Sequence, residues 1–83
     1  MKLLNKEQFP LPGGQGYMHL ATVKDGLFSE YICFLNTHTD QVYVEEVRLS
    51  QKKDRTFADL IYIEDNNLHK KLISFLIKEG IIH

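Results

Sequence analysis

The 83-residue chain has one cysteine, no tryptophan and two prolines. A lone Cys33 excludes an intramolecular disulfide, and a secreted domain of this size carries several, so a reducing, cytoplasmic setting is the expectation. Five glycines and two prolines are too few for collagen or for a low-complexity linker. No sign of charge dominates: ten Lys and Arg stand against eleven Asp and Glu, for a net −1. The general basic character of most nucleic-acid binders is therefore missing, and only a local patch remains to be sought. Long apolar runs are lacking too. The uncharged, largely apolar stretch at residues 31–39 falls short of the ~20 residues of a membrane span. The start Met1, Lys2, Leu3, Leu4, Asn5, Lys6, Glu7 has no apolar leader core, and no membrane association is expected.

What is present is an apolar content of 43%, enough for one core. Surface scaling for this mass gives about 5,100 Å² folded, with about 64% of the extended-chain surface buried, which supports one domain. The spacing predicts an α+β fold: a four-stranded antiparallel meander sheet followed by one C-terminal amphipathic helix packed on one face. Residues 1–16, with Phe9, Pro10, Leu11, Pro12, Gly13, Gly14, Gln15 and Gly16 at their end, read as a flexible N-terminal arm. Residues 17–83 read as a single ββββα domain.

Within that domain, residues 17–24 are rich in β-branched and aromatic side chains, and Asp25-Gly26 signals a two-residue hairpin turn with positive φ at Gly26. Residues 27–36 form a second strand that is apolar on both faces, hence central. The turn formers Asn36, Thr37, His38, Thr39 and Asp40 lead into a third strand over 41–49. Its alternation changes phase at Glu45-Glu46. Either a β-bulge turns Val42, Val44, Val47 and Leu49 all inward, or a regular strand presents Tyr43, Val47 and Leu49 on one face. Residues 50–55 read as a polar loop and 56–64 as a fourth strand. Asp65 or Asn66 then caps a helix over 68–79 that ends at Gly80.

Helical spacing puts Leu68, Leu72, Phe75 and Leu76 on one arc, enough to cover one side of a small sheet. His69, Ile73 and Ile77 flank that arc, and Ile81 and Ile82 follow Gly80. These five residues form the candidate interface, either with a protein partner or with a second copy in a homodimer. The competing account has Leu3, Leu4, Phe9 and Leu11 of the N-terminal arm folding over the same flank.

No catalytic, metal or cofactor group emerges. Cys33 sits mid-strand among Ile32, Phe34 and Leu35, surroundings that keep a thiol protonated and inert. His19, His38, His69 and His83 show no metal-ligand spacing. The Gly-rich segment 12–16 lacks the lysine-and-hydroxyl ending of a phosphate loop and precedes a strand. Glu45-Glu46, adjacent on a strand, point to opposite faces and cannot share a substrate proton. The one charge grouping is Arg48, Lys52, Lys53 and Arg55. With Tyr43 and Tyr62 it offers phosphate contacts and stacking faces for single-stranded nucleic acid. In element order over residues 17–80, though in no shared motif, the chain resembles the transcriptional coactivator and plant Whirly type of single-stranded-DNA-binding domain. That resemblance implies nucleic-acid binding by the sheet. The reading of the residues themselves favours a small, non-enzymatic binding or regulatory protein acting through protein contacts.

Overall fold

A computed structural model describes residues 1–12 and 15–83, so Gly13 and Gly14 of the glycine-rich arm lie outside the described residues. The class is α+β, as expected, but among the described residues the sheet has six strands in place of four. They are β1 (Lys2–Asn5), β2 (Phe9–Pro10), β3 (Tyr17–Asp25), β4 (Ser29–Asn36), β5 (Gln41–Lys52) and β6 (Arg55–Tyr62), followed by helix α1 (Asn66–Lys78). The four long strands run as an antiparallel meander, β3-β4-β5-β6. The two additional strands come from the segment read as an arm. Both pair antiparallel with the outer side of β3, β1 along Thr22, Val23 and Lys24 and β2 along Met18 and His19.

The β3–β4 connection departs from the two-residue expectation. Asp25 pairs with Ser29, and Gly26, Leu27 and Phe28 form a three-residue turn with φ +74° at Gly26. Leu27 and Phe28 are thereby lifted out of the strand, and Phe28 is 94% exposed. The polar loop expected at 50–55 shrinks to Lys53 and Asp54, because Lys52 still pairs with Arg55. Strand β5 keeps one register against both neighbours through Glu45 and Glu46, so the regular-strand alternative is the one observed. The sheet's bulges lie elsewhere, at Leu20 in β3 and at Leu4 in β1.

Register assigns the faces. The rows Ala21, Cys33, Val44 and Val23, Tyr31, Glu46, Ile61 lie on the side that α1 covers. There Ala21, Val23, Tyr31, Cys33, Val44 and Ile63 bury themselves against Leu72 and Leu76. Asp65 starts the helix, its carboxylate accepting from the backbone N–H of Asn67 at 2.9 Å and of Leu68 at 3.3 Å. At the other end Gly80, at φ +76°, donates to the Ile77 carbonyl and Ile81 to that of Leu76. This is a Schellman closure that a left-handed glycine makes possible.

That closure turns Ile81 and Ile82 back toward the core. Both are half-buried and pack against it with Ile73, Phe75, Leu68, Met1 and Leu3. The chain thus covers most of the flank itself, using its C-terminal residues and β1.

The molecule is open for its mass. Its accessible surface is 6302 Å², well above the ~5,100 Å² of a typical compact monomer. Its radius of gyration is 12.9 Å, against the ~11.8 Å expected for this length. The excess arises because one helix covers one face, while the opposite face and the β5–β6 hairpin remain in solvent.

Candidate functional site

The open face is built from the residues that alternate with the core. Tyr17, Ile32 and Phe34, then Tyr43, Glu45 and Val47, then Thr56, Ala58 and Leu60 line a cleft of about 910 Å³, bordered by Leu11 and Pro12. Alternation along four strands, β3 to β6, places these side chains on one surface. Phe34 and Tyr43, directly opposite in the β4–β5 ladder, stack with centroids 5.3 Å apart. Tyr17 meets both edge-on, at 5.7 Å from Phe34 and 6.4 Å from Tyr43. Such geometries fix ring positions without filling the space above them. The Tyr43 hydroxyl donates to Oε1 of Gln41 at 3.0 Å, which anchors the outermost ring.

Among the described residues, Glu45 is the only charged one lining the cleft, and no Lys or Arg borders it. A second cleft, of about 360 Å³, runs between the exposed Leu27 and Phe28 and the strand residues Glu30, Glu46, Val47, Arg48 and Leu49.

His19 closes one corner of the open face. Almost fully buried, it stacks under Phe9 with ring centroids 4.3 Å apart. Its Nδ1 donates to the Glu7 carbonyl at 2.6 Å, because a carbonyl oxygen only accepts. Its Nε2 shares a 2.8 Å hydrogen bond with the Thr22 hydroxyl. The ring thereby holds the β1–β2 connection onto β3. Its burial escaped the sequence reading because Thr22, three positions along, shares its face only across the bulge at Leu20. His38 lies over Gly16, where a Cβ would sit 2.5 Å from its ring, and Gly16 holds φ +83°. Only glycine fits there.

The sequence-derived candidates divide between surfaces. Tyr43 and Tyr62 are on the open face, in phase with Glu45 and Leu60. Arg48 is on the opposite side, 3.3 Å from the Glu46 carboxylate, the ion pair found among the described residues. Lys52 and Arg55 share Arg48's phase next to the exposed turn residue Lys53. The four basic residues and the two tyrosines do not line one groove. Of the helix-flank candidates, Ile73, Ile81 and Ile82 pack against the chain's own core and His69 is half-buried, while Ile77 is 51% exposed.

Comparison with models of known protein families, with curated proteins and with solved structures finds no match. The chemistry of the site must be read from its own residues. Cys33 is buried beneath α1, and burial pushes its thiol up to about 11. It stays protonated and unreactive at neutral pH. Among the described residues, no three His, Cys, Asp or Glu side chains converge as metal ligands, and no helix is long and apolar enough to cross a membrane.

Proposed function

We propose that this is a non-enzymatic binding protein that acts through protein contacts made by the open face of its sheet. The observation that carries this reading is the aromatic and aliphatic cleft of Tyr17, Ile32, Phe34, Tyr43, Val47 and Leu60, with Glu45 as its only charge among the described residues. A concave lining of aromatic and aliphatic side chains with few polar groups is the kind of surface that a binding partner fills. The partner that complements it is a protein segment with large apolar side chains and a Lys or Arg set to meet Glu45. Nucleic acid is the weaker fit, because phosphates need cations beside the stacking rings and the cleft lining supplies a carboxylate instead.

Panning a displayed peptide library on the immobilised protein tests this reading. The selected peptides should be rich in aromatic and aliphatic residues with one basic position. Tyr43→Ser combined with Leu60→Ser should weaken them about tenfold or more. Equal binding by the double variant would overturn the reading. So would a salt-sensitive hold on a single-stranded oligonucleotide that is lost when Lys52, Lys53 and Arg55 become Glu.

A further inference from the structure

The two edges of the sheet are finished differently. On the β1–β2 side the edge strands have four and two residues, carry Lys2 and Pro10, and are broken by a bulge. Short strands, lysine, proline and bulges are the devices that stop an edge from pairing with another chain. On the opposite side β6 has eight residues, RTFADLIY, with no proline, no lysine and no register shift against β5. Its residues are exposed apart from the half-buried Ile61, and among the described residues no strand pairs with its outer side.

We infer that β6 is a homodimerisation edge, pairing antiparallel with β6 of a second copy across a two-fold axis through Phe57. The occupant follows from the strand's own charges. The only charged residues of β6 are Arg55 and Asp59, placed symmetrically about Phe57. Centring the axis there sets Arg55 of each copy opposite Asp59 of the other and brings Phe57 against its counterpart. Centring it on Asp59 instead opposes two carboxylates, and centring it on Ala58 leaves Arg55 against Ile61 and Asp59 against Phe57.

Hydrogen-bond phase agrees with the Phe57 axis. The two-residue turn Lys53-Asp54 makes Lys52 and Arg55 a hydrogen-bonded pair, so Arg55, Phe57 and Asp59 direct their backbone groups toward β5. Thr56 and Ala58 direct theirs outward. In the proposed register Thr56 of one copy meets Ala58 of the other, so outward groups meet outward groups. The Phe57 and Arg55–Asp59 rows become the close, non-hydrogen-bonded pairs in which side chains interact most. A dimer of this kind is isologous and closed, and it consumes the edge that would otherwise recruit further chains. It also removes part of the surface that this small chain exposes in excess. The inference is independent of what the open face binds, since that face stays uncovered on both copies.

Sedimentation velocity on the full chain at about 100 µM tests it, a concentration suited to a micromolar dimer. The expected mass is twice 9.7 kDa. Ala58→Pro removes an outward N–H at an edge position where proline is tolerated, and should yield a monomer with an unchanged far-ultraviolet circular dichroism spectrum. Arg55→Glu alone should weaken the dimer about tenfold, and adding Asp59→Arg should restore it, because the swapped charges again face each other. A monomeric wild type, a dimer indifferent to Ala58→Pro, or a double swap no tighter than the single change would each overturn the proposal.

Discussion

The middle of the covered face carries modest side chains, Ala21, Val23, Cys33 and Val44, flanked by Tyr31 and Ile63, and α1 settles onto them until Leu72 and Leu76 have no exposed surface. The open face is made of larger ones. Tyr17, Phe34 and Tyr43 stand in contact with one another and Leu60 stands beside them, with no helix over the cleft they line. Small residues let a helix backbone approach a sheet closely, whereas rings project and hold one away. A 13-residue helix is about 20 Å long, which suffices for one face of this sheet and not for both. Stability is thus concentrated on one side of the sheet, and adhesive apolar surface is left on the other.

The strongest way to break that contrast is to hollow out the covered side. Leu76→Ala removes a fully buried side chain from the centre of the core. It is expected to lower unfolding free energy by about 2–5 kcal/mol in urea titrations. A loss within the range of a surface substitution would mean that α1 is not what stabilises the sheet.

A smaller effect comes from Cys33. Burial raises its thiol from 9.0 to about 11. Below pH 9 the group is neutral in both the folded and unfolded chains. Between pH 9 and 11 only the unfolded chain ionises, so stability falls as pH rises through that window. The loss approaches ~3 kcal/mol at its alkaline end. Urea midpoints of wild type and Cys33→Ala, compared across the window, isolate this contribution from other groups that titrate there. Parallel curves would show that the thiol is better solvated than its position beneath α1 implies.

The smallest effect belongs to the open face. Leu60→Ser, on an exposed edge strand, is expected to change stability by no more than about 0.5 kcal/mol, measured as above. A larger loss would mean that the open face contributes to the fold, and would remove the distinction between the two sides.

The sequence announced the elements whose causes are local. Asp65 and Gly80 delimit α1 because a cap and a left-handed closure depend only on nearby backbone groups. The four long strands show in their β-branched and aromatic content. The strands β1 and β2 were hidden, since the run from Lys2 to Asn5 and the pair Phe9-Pro10 acquire strand geometry only by pairing with β3, an event at long sequence separation. The candidate site was legible in its parts, through Tyr43, Val47 and Leu49 on one strand face, but not as a surface. Which strands' aromatic residues meet depends on register, and Tyr17 reaches Phe34 and Tyr43 only through pairings that span the meander. The helix flank stayed undecided in the sequence for a related reason. The turn at Gly80 folds Ile81 and Ile82 back onto the chain's own core, and helical spacing up to Lys78 says nothing of where the next residues go.

The bulge at Leu20 has a role in how the chain tolerates change in length. In β3 the buried positions His19, Ala21 and Val23 look like one continuous alternation, yet the bulge puts His19 on the open side and the other two under the helix. One residue therefore resets the parity of the strand, as a single inserted base resets a reading frame. Excising Leu20 would remove the bulge and leave His19 opposite Phe34 and Ala21 opposite Cys33 as neighbours in a regular ladder, so both faces would keep their residues. Pairing Leu20 as an ordinary strand residue would instead force a choice: either the histidine and Tyr17 would be driven beneath α1, or Ala21 and Val23 would be turned out to water. Most hydrophobic residues in this sheet can only be exchanged for others of similar size, but at Leu20 the count itself can change.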